Sequence, residues 1–468
     1  MLYLVKPIFL ATDAFIWLFA VMLTITVYKI KRQPNLCKKW SVLLQSKLYN
    51  TCLVTLVFFC IVALTDSIHF REPISETHNT KIVYSNEVKS LFDSLVTPLG
   101  IVKEQSYSKP FATHNLNKSY EKDSAGNYIS FYNHLKINEK NKPSIGELGY
   151  EFTIKWFKWA FISLAVLSLY ILFKERNQVW HRRIPNYLTT LKKSGVLHSI
   201  ITAIILFTIF ACLINISSCY HVFGTSKIGE DVLYQTMKSI RTGIIIGTIT
   251  TIFSLPIAII MGICSGYFGK TIDDIIQYIY TTISAIPGIL LISAAVLSLQ
   301  VWLGRHANWF SSMEESADMR LLMICFILGI TGWTSLCRLL RGETLKIREM
   351  DYITAAKTLG VSNSSILYKH ILPNVMHIVL IITVIDFSSL VLAEAVLSYI
   401  GVGVDPSTMS WGNMINSARL EMAREPAIWW SLAAAFVFMF SLVLAANIFA
   451  DGVRAAFDPR EKNNAGAS

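Results

Sequence analysis

Apolar residues along this chain gather in blocks instead of alternating with polar ones. A helix needs about 20 such residues to cross a hydrocarbon core about 30 Å thick with its backbone bonded internally. Nine blocks qualify as spans: residues 7–28, 48–64, 154–173, 197–216, 240–262, 275–299, 321–340, 375–396 and 428–450. The second is short, and the sixth carries Pro287, whose missing N–H predicts a kink aided by Gly288. The pattern predicts an all-α polytopic membrane protein. Two polar stretches interrupt it: a long one at 67–153 and a short one, rich in small residues, at 351–374.

Composition agrees: 53% of the 468 residues are hydrophobic, only 16% are charged, and the mean hydropathy is +0.47. The formal charge of +11 is explained by topology, because the cations lie beside spans, where they are retained in the cytoplasm. Lys29, Lys31, Arg32, Lys38, Lys39 and Lys47 follow the first span, Lys174, Arg176, Arg182, Arg183, Lys192 and Lys193 the third, and Arg341, Lys346, Arg348, Lys357 and Lys369 the seventh. This predicts an N-terminus outside, the 67–153 stretch outside and a cytoplasmic C-terminus. It also argues against a nucleic-acid partner. The first span has its basic flank after the apolar run, as in a signal anchor and not a cleaved leader. All eight cysteines lie in or near spans and none in 67–153, so they are expected to be packing residues without disulfide or metal roles.

The 351–374 stretch reads as a helix from Tyr352 to Leu359, a left-handed Gly360, and a second helix capped by Ser362, running to His370 and closed by Pro373. Ala355 and Ala356 would let a partner approach closely. An amphipathic helix resting on lipid headgroups is the competing structure.

These residues resemble a known family. The pattern Ala355-Ala356-x-x-x-Gly360 followed by Ile371-Leu372-Pro373 is similar to the cytoplasmic loop of permease subunits in bacterial ATP-binding-cassette importers. Residues 369–374, KHILPN, look like the dipeptide/oligopeptide branch. Residues 392–415, 451–460, 221–243 and 266–270 extend the likeness in consistent order, over about half the chain.

The resemblance implies a six-helix ABC importer permease core preceded by an extra N-terminal membrane region. It further implies a bacterial inner-membrane location, two ABC ATPase subunits, a second homologous permease, an extracytoplasmic binding protein and surrounding lipid. ATP and Mg would sit on the partner ATPases, with no cofactor on this chain. The coupling loop would comprise Asp351, Tyr352, Thr354, Ala355, Ala356, Leu359, Gly360, Ile371, Leu372 and Pro373. Thr354 stands where the family carries Glu, which removes one expected ionic contact with the ATPase. Peptides are the leading cargo, with nickel complexes, opines, oligosaccharides and antimicrobial peptides as alternatives.

The expected organisation is two N-terminal spans in 1–66 and an extracytoplasmic polar region in 67–153. A third span and basic connector follow in 154–195, then the six-helix permease domain in 196–460 with its loop at 341–374, and a tail at 461–468. Residues 221–241 and 401–424 would meet the binding protein.

Other motifs carry less. CSGYFGKT at 264–271 misses the first glycine of a phosphate-binding loop and ends a span instead of following a strand, so a cytoplasmic turn with flexible Gly266 and Gly269 is expected. Acidic residues inside spans are costly, and Asp386 and Glu394 lie eight apart on one helix face. They and Pro287 are candidates for the translocation pathway, with hydrogen bonding to neighbouring helices as the structural alternative. Trp411, Trp429 and Trp430 read as interfacial anchors. A gradient-driven transporter would show inverted repeats, and a membrane-anchored sensor would leave the coupling-like loop without a purpose.

Overall fold

A computed structural model of the chain describes residues 6–74, 83–85, 87–96, 103–122, 128–138, 196–310 and 312–457, with isolated positions between 150 and 158. Its helices are α1 (Ala11–Arg32), α2 (Pro34–Gln45), α3 (Lys47–Asp66), α4 (Leu91–Leu95), α5 (Val196–Ile216), α6 (Val232–Phe268), α7 (Lys270–Ala285), α8 (Gly288–Arg305), α9 (Met313–Gly332), α10 (Thr334–Arg348), α11 (Asp351–Thr358), α12 (Asn363–Ile366), α13 (Leu372–Ile400), α14 (Trp411–Glu421) and α15 (Trp430–Phe457). Among the described residues, eight helical stretches are long and apolar enough to cross a membrane, and they match eight of the nine expected spans. The expected third span and its basic connector lie outside the described residues.

One span differs from its expectation. Residues 275–299 do not form one kinked helix: α7 ends at Ala285 and α8 begins at Gly288, with Pro287 as its N-cap residue. The apolar residues of α7 recur at helical spacing, so its sequence merges with the span behind it, although α7 itself is a separate amphipathic helix.

Among the described residues, strands are confined to the N-terminus and the polar insert: β1 (Lys6–Ile8), β2 (His69–Arg71), β3 (Pro73–Ile74), β4 (Val83–Tyr84), β5 (Lys89–Ser90), β6 (His114–Lys122) and β7 (Tyr128–His134). β2 is the centre of an antiparallel sheet in the order β1-β2-β5, with Lys6 opposite Arg71. β6 and β7 form a hairpin.

The chain divides into two compact units. The first comprises residues 1–9, 40–242 and 409–445; the second comprises 10–39, 243–408 and 446–468. In the first, α3 packs on α5 with Phe58 and Phe210 rings 5.6 Å apart. The insert is built onto the loop before α6. Glu104 N–H donates to Gly229 O at 2.9 Å and Phe111 N–H to His221 O at 3.0 Å. A Cβ on Gly229 would lie 1.9 Å from Glu104 O, so only glycine admits this approach. Two tryptophans expected at the lipid interface are buried here instead: Trp411 Nε1 donates to Thr236 O and Trp430 Nε1 to Thr225 O, each at 3.1 Å, while Trp429 is exposed. An indole N–H buried with a carbonyl partner fixes packing better than it anchors lipid.

In the second unit the first span belongs with the core. Thr12 N–H, one of the unbonded amides at the start of α1, donates to Asp318 Oδ2 of α9 at 3.0 Å, and the Thr12 hydroxyl donates to the same carboxylate. Phe15 of α1, Phe253 of α6 and Phe326 of α9 then form an aromatic chain with centroids 5.6 and 5.2 Å apart. α6 approaches α10 through Gly262 and Gly266. A Cβ at either would fall 2.8 Å from a backbone oxygen of α10, at Cys337 and Arg341 respectively. Gly266 is therefore a close-packing position inside α6, and Gly269, with φ +63°, makes the turn that ends it. All eight cysteines are free thiols, seven of them buried or half-buried.

Candidate functional site

The 351–374 segment folds as a braced projection within the second unit. α11 ends in a paired glycine cap: Gly360, at φ +76°, donates its N–H to Lys357 O, and Val361 N–H donates to Ala356 O, both at 3.1 Å. A Cβ on Gly360 would meet open space, so glycine is required there by the left-handed backbone and not by crowding. Ser362 takes the N-cap position of α12, but no side-chain capping bond forms. The second helix does not close at Pro373. It runs from α12 through a π-helical turn, Leu367–Ile371, directly into α13, whose second residue is Pro373.

One face of the projection is locked down. Ile353, Ile366 and Ile371 are fully buried with Ala356 in a cluster that includes Tyr267, Ile276, Leu340, Ile347 and Val375. Tyr267 Oη donates to Asn363 Oδ1 at 2.7 Å, and Lys357 Nζ lies 4.7 Å from the Tyr267 ring centroid. Asn374 Nδ2 donates to Tyr352 Oη at 3.0 Å, tying the two ends together. Beneath it, Arg341 forks onto Asp273 with two bonds of 2.6 Å, and Ser265 donates to the same carboxylate. Such bidentate pairs fix geometry as well as charge.

The other face is open. Asp351, Tyr352, Thr354, Ala355, Leu359, Gly360 and Pro373 are exposed, and Leu359 is 82% exposed. Ala356 is not on this face. It turns inward with Ile353, three residues earlier, as helix geometry requires. Leu372 is half-buried. The sequence pattern of the paired alanines missed this division, whereas the burial of Ile353 could have been read from its spacing to Ala356.

The pathway candidates separate. Glu394 is buried and accepts the Ser398 hydroxyl at 2.8 Å, a local bond within α13. Asp386 is half-buried, and among the described residues no hydrogen bond or ion pair is found at its carboxylate. Pro287 starts α8, and the Gly288 beside it has open space around it.

A further polar cluster, invisible to motif reading, lies in the first unit. His221 is 1% exposed, with Nδ1 2.6 Å from Asp231 and Nε2 3.7 Å from Glu104 of the insert. Burial pushes the imidazole pKa down, but the hydrogen bond to Asp231 and the negative charges of Asp231 and Glu104 outweigh it and raise the value to about 9. Asp231 also caps α6 through Leu233 N–H. In the expected docking segment 221–241, His221, Val222, Thr225 and Asp231 are buried, while Lys227 and Ile228 between them are exposed.

Comparison with known proteins places these features. Residues 254–463 match the family described as binding-protein-dependent transport system inner membrane component. The oligopeptide transport system permease protein OppC of Bacillus subtilis is 31% identical over 240 residues, 51% of this chain and 72% of that protein. The dipeptide transport system permease protein DppC of Lactococcus lactis is 31% identical over 51% of this chain and 64% of its own length. OppC of Mycobacterium tuberculosis is 30% identical over 54% and 81%.

Proposed function

The chain belongs to the family of inner-membrane components of binding-protein-dependent transport systems, and from that premise we propose that it carries peptides inward under the drive of separate ATPase subunits. It is a permease subunit of an ABC importer, with eight candidate spans among its described residues, and not an enzyme. The peptide cargo is supported by its relatives, which are oligopeptide and dipeptide transport system permeases.

The observation that carries the mechanism is the braced helix–turn–helix: Ile353 and Ile371 fully buried, Leu359 82% exposed. A projection that is rigid on one side and offers an apolar tip on the other can transmit force from a soluble partner without deforming. Two ABC ATPase subunits would bind it, hold ATP and Mg, and close on each other. The pull on the 351–374 projection would reorient the spans between inward- and outward-facing states. A second homologous permease would complete the pathway, and a binding protein would deliver cargo from outside. Asp386, half-buried and without a hydrogen-bond or ion-pair partner among the described residues, is the better candidate for attracting a peptide amino terminus. Glu394, satisfied by Ser398, is better read as structural. The pairing of β1 with β2 requires the N-terminus and the insert to share one side, which supports an N-terminus outside.

The test is Leu359→Asp in the reconstituted importer. Peptide uptake and binding-protein-stimulated ATP hydrolysis are expected to fall at least tenfold while the chain still inserts and co-purifies with the second permease. Unchanged uptake would remove the docking role. Mass spectrometry of the small molecule retained on the co-purified binding protein checks the cargo, and a sugar or metal complex in place of peptide would overturn it.

A further inference from the structure

The insert contains a cleft of about 270 Å³ that the transport reading does not use. Its walls include Glu104, Gln105, Asn115, Phe131, Tyr132 and Lys136, contributed by the β6–β7 hairpin and the segments flanking it. That volume lies just under the size of pockets for drug-sized ligands, about 300–1,000 Å³, and suits a smaller molecule.

Hydrogen-bond acceptors dominate one wall. Asn115 is 6% exposed, lines the cleft, and its Oδ1 has no hydrogen-bond partner. A buried acceptor left unpaired is unfavourable unless something in the cleft donates to it. Gln105 Oε1 accepts only a long 3.5 Å bond from Asn133. Glu104 accepts Ile137 N–H at 3.2 Å and shares a single imidazole, His221, with Asp231. Two carboxylates against one imidazole leave at least one negative charge in excess beside the cleft. Lys136 supplies the opposite charge, with Nζ donating to Lys103 O at 3.3 Å and its remaining N–H bonds free to turn toward the opening. Phe131 and Tyr132 add aromatic surface to the lining.

We propose that this cleft binds a small zwitterion of amino-acid to dipeptide size. Rotation of the Asn115 side chain brings Oδ1 to the zwitterion's ammonium beside the Glu104 carboxylate, its carboxylate pairs with Lys136, and its side chain rests on Phe131 and Tyr132. The choice of short peptides among such zwitterions rests on the peptide-import reading; the binding chemistry does not. The cleft would hold peptide on the insert itself, separately from any soluble binding protein.

The experiment is calorimetric titration of the purified full-length chain in nanodiscs with alanyl-phenylalanine, its N-acetyl form and its C-terminal amide. Saturable binding of the free dipeptide is expected, with at least tenfold weaker binding of the N-acetyl form. Asn115→Leu should abolish binding. Because that buried position also supports the fold, Lys136→Met at an exposed position is the second variant: it should leave the melting temperature unchanged and remove the preference for the free dipeptide over its amide. No saturable binding, equal binding of free and N-acetylated forms, or a Lys136→Met variant that still prefers the acid would each overturn the proposal. Peptide uptake by the assembled importer with no dipeptide bound to this chain would overturn the cleft alone. Dipeptide binding here with no peptide uptake would support the cleft and overturn the import reading.

Discussion

His221 shows how one residue can set the working range of a whole region. Its folded pKa, raised to about 9, lies above the ordinary 6.5, so protonation of the native state adds stability that is complete below about pH 6.5 and is lost as pH rises through 9. The linked stabilisation is on the order of 3 kcal/mol for a shift of this size. Glu104 moves the other way: burial opposes its charge, but the nearby His221 charge and backbone N–H bonds lower its pKa, so its contribution is present above about 4.5 and fades in acid. The expected melting temperature of the full chain is therefore highest between those limits and falls between pH 6.5 and 9. A His221→Gln variant should lose the alkaline slope, and a slope that persists in that variant would exclude His221 as its source. Little of this was legible in the sequence. Asp231 lies ten positions away, but Glu104 is more than a hundred away, and nothing in its surroundings marks it as the partner of a histidine.

At the scale of elements, the apolar blocks predicted the spans well because a membrane helix must be apolar for its whole length. The break before α8 was hidden for the same reason: the amphipathic α7 supplies enough apolar residues to fuse with the block behind it. The turn at Gly360 was legible because left-handed backbone selects glycine. By contrast, the inward direction of Ala356 depends on which face meets α10 and α13, and that is a property of packing. The α6–α10 contact offers a sharper test. Gly262→Ala and Gly266→Ala each insert a carbon within 2.8 Å of α10, and overpacking of this kind costs about 1–3 kcal/mol. Gly288→Ala, at the start of α8, meets no neighbour within 4 Å and should be silent. Thermal stability of the three variants in detergent checks the ranking, and equal stability across them would contradict the close approach.

On the scale of the molecule, the first span packs with helices of the C-terminal half. Residues 10–39 belong to the same compact unit as 243–408, because the start of α1 is satisfied by Asp318 and its ring packing continues through Phe253 to Phe326. Deleting residues 1–39 should lower the yield of folded protein severalfold and take at least 5 °C from the melting temperature. A deletion variant with native stability would restore the linear division. Charge and hydropathy could not reveal this arrangement, since both describe segments one at a time and the pairing of α1 with α9 is made between segments some three hundred residues apart. The β1–β2 ladder has a bearing on synthesis. Lys6 is made first, yet its partner Arg71 emerges only after two intervening spans, α1 and α3. On the topology proposed above, the first strand waits, translocated and unpaired, until the ribosome has delivered the second span, and the closing of that small sheet would report that both helices have been threaded in the same sense.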